Sequence, residues 1–463
     1  MLATDQRLNP LDSNQHLPHP PHSITRLSIT TRIGCPAMDN NRLNILMFTN
    51  SYTPHVGGVA RSVESFAEQY RQLGHRVLIV APEFPGVPEN EIDVFRVPAL
   101  QQFNGGDFSV MLPVSGLLKD KLEQFKPHVV HAHQPFLLGM TALRIARVRN
   151  LPLVFTHHTL YEQSTHYVPV NSLAMQKLAM ALATLYSNLA DRVFAPSESI
   201  ARLLQQRGVQ TPIDIVPTGL QLERFANANG YRFRKSQNIP SKAFVVGHLG
   251  RLAEEKNLSF LATSVAEFIT QRQAQNQLRK KHIPKTYFLV IGSGPAEELI
   301  ETIFKRAGLS EQLLRAGDLP QGQVVDAYDA MDVFAFSSKS ETQGMVVSEA
   351  MACGIPVVAL DAPGTRELVV DQRNGRLLQS QSSVDFTEAL HWIAEQPALN
   401  RLSLSQAARK TALQLSIEQT AGQALHLYGR LIRQQTALPG KTDHQLKQLL
   451  ELIKREWTII EDV

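Results

Sequence analysis

Ser337-Ser-Lys-Ser-Glu341-Thr-Gln-Gly344-Met-Val-Val-Ser-Glu349-Ala-Met-Ala-Cys-Gly354-Ile-Pro356-Val-Val358 is the stretch that decides how the chain reads. An apolar strand, Val333 to Phe336, runs into it and gives way to small polar residues. Glu341 and Gly344 then sit in a loop that opens a helix near Met345. The helix stops at Gly354, suited to a left-handed C-cap, and Pro356 begins the next strand. Strand, glycine loop and helix start together make an anion site, because backbone N–H groups and the positive end of the helix dipole face the loop. Glu341 lies in the loop and Glu349 a turn into the helix, so both carboxylates can point at a ligand seated on the helix start. N–H groups suit a diphosphate, and carboxylates accept hydrogen bonds from sugar hydroxyls, so the combination fits a nucleotide sugar. By spacing alone, a capping carboxylate at Glu341 and a solvated one at Glu349 fit equally well.

The totals bound the class. At 463 residues the chain predicts two or three domains with large cores. A formal charge of +4 permits contact with an anionic membrane but does not argue for nucleic acid. Cys35 and Cys353 are too few for a disulfide framework or a cysteine metal site, which fits a reducing cytosol. No apolar run reaches the roughly 18 to 20 residues that span a bilayer. Residues 1–41 are rich in Pro, Asn and His and lack the apolar core of a secretory signal. They read as a disordered arm, or as a start codon assigned too early. The expectation is a cytoplasmic protein, peripheral on a membrane, of open oligomeric state.

The same unit opens the ordered chain. Leu43 to Phe48 reads as a buried strand, followed by Thr49-Asn-Ser-Tyr52-Thr-Pro-His55-Val-Gly57-Gly58-Val-Ala-Arg61 and a helix to about Leu73. Strands and helices then alternate. The strand from Pro127 ends in His131 and His133, which as metal ligands would need a third partner that the nearby sequence does not supply. The strand Leu151 to Thr156 delivers Thr156-His157-His158-Thr159-Leu-Tyr161-Glu162, at the strand end where α/β sheets place ligands. A structural loop histidine is the plainer alternative. Arg144, Arg147 and Arg149 read as a membrane-facing patch or as a solvated helix end. The apolar helix 171–190 could pack in the core or lie on a membrane. Ser197 is placed to cap a helix, and 213–216 is the last strand of this half.

Pro217-Thr-Gly219 begins the hinge, and 221–242 has no clear period. The second half restarts with the strand Phe244 to His248 and the loop Gly250-Arg251-Leu-Ala-Glu-Glu-Lys256-Asn257. An Arg grips two phosphate oxygens at once and a Lys supplies a point charge, so the pair can neutralise a diphosphate. Further strands lead to Gly292-Ser-Gly294-Pro295 and to Gly317-Asp318-Leu319. Helices are expected from about Val384 on, then over 417–435 and 441–457. The predicted class is α/β, with two doubly wound Rossmann-like domains facing across a cleft.

Glu341-Thr-x-Gly344 followed by Glu349-Ala-Met-Ala-x-Gly354-x-Pro356-Val-Val resembles the signature of retaining glycosyltransferases of family 4. Gly250-Arg251-Leu-x-x-x-Lys256 resembles the phosphate clamp of that family. Phe155-Thr-His-His158-Thr-Leu-Tyr161-Glu, with Thr165-His166-Tyr167 after it, looks like the matching stretch of bacterial diacylglycerol glucosyltransferases. The resemblance covers roughly 43–435 and implies a GT-B fold. It implies an acceptor domain over 42–218, a donor domain over 219–415, and C-terminal helices over 416–463, the first crossing back to the acceptor domain. The donor would be a UDP-hexose, galactose or glucose, with no cofactor and no metal.

The resemblance also implies roles. Arg251 and Lys256 would stabilise the departing diphosphate, Glu341 orient the sugar, Glu349 hold the ribose and His158 contact the sugar near its anomeric carbon. Gly57 and Gly58 would lie under the reaction centre. Gly292 and Gly294 would border the nucleotide, and Gly317, Asp318 and Leu319 flank the base. Thr342, Gln343, Gly344 and Met345 would join Glu341 on the donor side, and His131, His133 and Tyr161 would line the acceptor side. Retention would give an α-linked glycolipid from diacylglycerol or a monohexosyl-diacylglycerol, such as digalactosyldiacylglycerol. A soluble or polysaccharide acceptor is the alternative, and a nucleotide-sugar-binding homologue without turnover a further one. A nicotinamide enzyme would need Gly-x-Gly-x-x-Gly at the first strand, which Thr49 to Gly58 does not supply.

Overall fold

A computed structural model describes residues 42–54, 57–87, 91–100, 110–111, 118–160, 173–279 and 283–435. Tyr161, the 165–167 motif, the N-terminal stretch 1–41 and the expected helix 441–457 lie outside the described residues.

The first half holds β1 (Asn44–Phe48), β2 (Arg76–Pro82), β3 (Val94–Val97), a short antiparallel pair β4 (Ala99–Leu100) and β5 (Val110–Met111), then β6 (Val129–Ala132), β7 (Leu153–Thr156), β8 (Arg192–Ala195) and β9 (Ile213–Ile215). Seven of these form one parallel sheet in the order β3-β2-β1-β6-β7-β8-β9. The second half holds β10 (Phe244–Leu249), β11 (Thr286–Ile291), β12 (Leu313–Gly317), β13 (Val333–Phe336), β14 (Val357–Leu360) and β15 (Gly375–Leu378). These make a second parallel sheet, β12-β11-β10-β13-β14-β15.

Near-continuous apolar runs produce this arrangement. A parallel strand is covered by helices on both faces, so it carries no polar alternation. Along β1, Leu46 and Phe48 enter one core while Ile45 and Met47 enter the other. In the second sheet Phe334 and Phe336 face one way and Val333 and Ala335 the other. The alternation follows from the period of two along a strand. Chain order reverses between β1 and β6 and between β10 and β13, and crevices for ligands open at such points beyond the strand ends.

The helix Ile417–Gln435 does not finish the second half. It lays Ile417, Ala421, Ala424, Leu425, Tyr428 and Leu431 against Ile45, Met47 and Val77 of the first sheet and Tyr70 of the helix Gly58–Gln72. Main-chain bonds from Leu220 N to Leu415 O (2.7 Å) and from Ile417 N to Leu220 O (3.0 Å) bring the two crossing segments together.

Several elements were not in the sequence reading, among them the short β4–β5 pair. Residues 221–242, without a clear period, contain a 3₁₀ turn (Leu222–Phe225) and a helix (Gly230–Ser236). That helix is held from outside: Asp326 accepts from Asn229 N (2.8 Å) and Asp329 from Gly230 N (2.7 Å), so its N-terminal N–H groups find carboxylates from another element. The strand β15 was not anticipated either. It is four residues at a sheet edge, with Gly375 so close to β14 that an added Cβ would lie 1.9 Å from the Val357 carbonyl oxygen.

Candidate active site

Both reversal points deliver the singled-out residues. After β1 come Gly57 and the helix Gly58–Gln72, and after β10 comes the loop carrying Arg251 and Lys256. After β13 comes the Glu341 loop, which ends in the helix Met345–Ala352.

Gly344 is the N-cap of that helix, in a left-handed conformation (φ 70°), with no side-chain cap. A Cβ there would lie 2.7 Å from the Gly364 carbonyl oxygen, so two loops close on each other where only glycine fits. Glu341 Oε1 accepts from Lys256 Nζ at 2.5 Å, both side chains being largely buried. Serines fasten the two loops beside this pair. Ser337 donates to the Lys256 carbonyl at 2.9 Å, and Ser338 and Ser340 each reach the Glu255 carbonyl at 3.4 Å. The serines were visible as small polar residues around Glu341, but nothing in their spacing named their partners. Arg251 is more exposed, and its guanidinium bonds to Glu255 rather than joining the Lys256–Glu341 pair.

The glycine loops form the neighbouring wall. Gly292 (φ 117°) would place a Cβ 2.1 Å from the Gly250 carbonyl oxygen. Leu252 N donates to Ser293 O and Gly292 N to Gly317 O, each at 2.8 Å, while Ser293 Oγ donates to Asp318 at 2.5 Å. Gly250, Gly292, Gly294, Gly317 and Asp318 are thus brought into one cluster. Leu319 is half-buried against the core beneath, and Met345 is half-buried at the helix start.

The opposite wall comes from the first half. The Thr342 hydroxyl donates to the His158 carbonyl at 3.0 Å, and Ser197 donates to the Thr342 carbonyl at 2.8 Å. Ser197 also caps its own helix by accepting from Ile200 N. Ser199 N reaches Glu367 at 2.9 Å, and Glu367 in turn accepts from Gly364 N at 3.0 Å. Arg61 meets Glu349 at 3.3 Å, and the other Glu349 oxygen accepts from Tyr328 at 2.9 Å. Burial raises the Glu349 carboxyl above its ordinary range, while Arg61 and the Tyr328 bond pull it back. Arg61 and Tyr328 were given no role from the sequence; Arg61 is far from Glu349 in the chain, and Tyr328 belongs to no motif that names a partner.

Two side chains named from the sequence are engaged with the protein itself. Gln343 was placed on the donor side, but its buried amide is spent on the main chain of Thr218, accepting from Thr218 N (2.7 Å) and donating to Thr218 O (2.8 Å). His131 was expected to line the acceptor cleft. It is buried, with Nε2 on Thr156 Oγ1 (2.7 Å) and Nδ1 on the Tyr428 hydroxyl (2.6 Å), so neither nitrogen is left for an acceptor. His133 is buried as well and pairs with His158 at 2.9 Å. Burial lowers His158, the half-buried member of the set, to about 4, so its ring is neutral near pH 7. Gly57 has an extended backbone and caps the first helix, and a Cβ at Gly58 would meet nothing within 4 Å.

The arrangement sets cations and an uncapped helix start among carboxylates and a neutral imidazole. Residues 56–224 match the family described as Glycosyltransferase Family 4, and residues 231–411 match Glycosyl transferases group 1. The alpha-monoglucosyldiacylglycerol synthase of Streptococcus pneumoniae is 25% identical over 371 residues, 79% of this chain and 81% of the relative. A GDP-mannose-dependent alpha-mannosyltransferase of Mycobacterium tuberculosis is 29% identical over 344 residues, 73% of this chain and 84% of the relative. Among solved structures, Anabaena HepE in complex with UDP superposes with a TM-score of 0.64 at 20% identity, covering 83% of this chain and 99% of that one. Among the described residues, no helix is long and apolar enough to cross a membrane.

Proposed function

From the premise that the chain belongs to glycosyltransferase family 4 and has the GT-B fold, we propose that it moves glucose or galactose from a UDP-hexose to diacylglycerol or a monohexosyl-diacylglycerol at a membrane surface, with retention, giving an α-linked glycolipid. The observation that carries this reading is the Lys256–Glu341 pair at 2.5 Å beside the uncapped helix start at Gly344. It sets a cation for a phosphate and a carboxylate for a sugar hydroxyl side by side. The likeness to a glucosyldiacylglycerol synthase supports the lipid acceptor.

In this reading the bond from the anomeric carbon to the diphosphate breaks, the acceptor hydroxyl oxygen bonds to that carbon, and its proton passes to the departing diphosphate, while Lys256, Arg251 and the N–H groups at Met345 and beyond take up the developing charge. Charge stabilisation of this kind by preorganised groups lowers barriers most where water is excluded. Glu341 releases Lys256 in part and turns to the sugar. Glu349 exchanges Arg61 for the ribose hydroxyls. His158, neutral, faces the sugar from the other wall. The chain's own cations supply what a divalent ion would otherwise provide, so no metal is invoked.

Transfer is measured from labelled UDP-glucose, UDP-galactose and GDP-mannose to vesicles of diacylglycerol or monogalactosyl-diacylglycerol, beside soluble acceptors. An α-linked labelled lipid from a UDP-hexose is the expected product. Label confined to water-soluble product would overturn the lipid reading. Transfer from GDP-mannose alone would overturn the UDP-hexose donor in favour of GDP-mannose, the donor named for the mannosyltransferase relative.

A further inference from the structure

The His158 ring is built into a ladder. Its Nε2 lies 2.9 Å from His133 Nδ1, with ring centroids 5.2 Å apart and planes 22° apart. His133 in turn lies tilted against His131, with centroids 4.1 Å and planes 31° apart. His131 is fixed from below. Tyr70 donates to the Tyr428 hydroxyl at 3.4 Å, so the single Tyr428 proton goes to His131 Nδ1, 2.6 Å away. His131 then carries its hydrogen on Nε2 and donates to Thr156. The base of the ladder is therefore a tyrosine on the helix that crosses back from the second half.

One hydrogen lies between His133 and His158, and it has two places to sit. If His158 Nε2 holds it, His133 keeps a buried Nε2–H, and that nitrogen has no polar partner. If His133 Nδ1 holds it, His133 Nε2 is a bare lone pair. Orphaned buried N–H groups are the rarer fault in folded proteins, and an under-used acceptor is better tolerated. Burial and the neighbouring imidazoles push His133 well below the usual histidine range, so a second proton does not enter the pair near neutral pH.

We propose that His133 is a positioning residue that fixes His158 in the tautomer with a bare Nε2 and a hydrogen on Nδ1. His158 then meets the donor sugar as a hydrogen-bond donor, not as a base. The second statement rests on the proposed sugar transfer; the tautomer itself does not.

The test begins with the full chain carrying ¹⁵N-histidine, in two-bond proton–nitrogen correlation spectra without substrate. His158 is identified by the signals lost in His158→Gln. The expected pattern is a protonated Nδ1 and a bare Nε2. A protonated His158 Nε2 in the unmodified protein overturns the proposal, whatever the substrate proves to be. His133→Phe keeps the stack without its nitrogens. It is expected to shift His158 to the Nε2–H form and to lower kcat about 10- to 100-fold, with the donor KM within about twofold. His133→Asn, whose amide N–H can replace Nδ1–H, is expected to restore most of the rate and the tautomer. Full kcat in His133→Phe, or no recovery in a folded His133→Asn, would count against the ladder.

Discussion

The Thr342 hydroxyl donates to the main-chain carbonyl of His158 at 3.0 Å, and this bond joins the two walls of the cleft at the residue next to Glu341. Ser197 holds the Thr342 carbonyl from the same side, and Gln343 is bound at both ends of its amide to Thr218. The loop that presents Glu341 is thus fastened to the first half, so the geometry around the sugar depends on both halves at once. Thr342→Val keeps the size and removes the donor. A hydrogen bond of about 1 to 1.5 kcal/mol corresponds to about a tenfold loss of kcat, and Thr342→Ser should recover it. UDP affinity by calorimetry should stay within about twofold in both variants. An unchanged kcat in Thr342→Val would show that the bond does not matter to transfer.

Lys256→Ala and Glu341→Ala should each reduce transfer by about 100-fold or more while the thermal transition stays close to that of the unmodified chain. Each removes half of one pair, so the double variant should lose far less than the product of the single losses. Initial rates for the three variants give the coupling directly. Near-normal rates in both single variants would remove the pair from the site.

Glu349 is 8% exposed and its carboxylate has two partners, Arg61 and Tyr328. Arg61→Met leaves a buried carboxylate with only the tyrosine. Arg61 itself is partly solvated, which discounts the loss to about 1 to 2 kcal/mol at neutral pH. The sign with pH is definite. Arg61 opposes the upward shift that burial imposes on Glu349, so without Arg61 the carboxyl protonates at higher pH. A protonated carboxyl no longer needs the cation, and the difference in Tm between Arg61→Met and the unmodified chain should shrink from pH 8 to pH 5. A constant difference over that range would contradict the assignment.

Much of the fold was legible in the sequence because parallel strands buried on both faces are written as unbroken apolar runs. Val333–Phe336 was expected with the ends it has. The helix Gly230–Ser236 was not, because Asp326 and Asp329 from another element hold it and no period of its own betrays it. The site divides in the same way. Glu341, Lys256 and the glycine loops sit in local strand–loop–helix units, which a motif reports. The Arg61–Glu349 contact joins residues far apart in the chain, and it requires the two halves to face each other before it exists. The partner of His131 was hidden for a related reason: Tyr428 belongs to a helix that returns from the other half.

Buried neutral histidines set the acid limit of the fold. Burial brings His131 and His157 to about 3 and His158 to about 4. In the unfolded chain each titrates near the ordinary histidine value of about 6.5. The unfolded state therefore binds more protons below that pH, and stability falls as pH drops from about 6.5 towards about 4. Linkage makes each such histidine cost about 2 kcal/mol at pH 5. Tm measured from pH 8 to pH 5 should be flat at first and then fall steeply. A Tm that holds steady to pH 5 would mean that these rings accept protons in the folded state.

Two glycines separate packing from chemistry. Gly292 has a φ of 117°, and a Cβ there would lie 2.1 Å from the Gly250 carbonyl oxygen. Gly292→Ala must move the backbone of one loop, and a loss of about 2 to 4 kcal/mol is expected, read as a lower Tm. Gly58 is different: it begins a helix, its φ is not in the left-handed region, and a Cβ would meet nothing within 4 Å. Gly58→Ala should fold at least as well, since alanine is favoured over glycine in helices by up to about 1 kcal/mol. If the open side of Gly58 is where the donor sugar approaches the backbone, that same variant should lose most of its transfer with an unchanged or higher Tm. Full activity in a stable Gly58→Ala would place the reaction centre away from the Gly57–Gly58 turn.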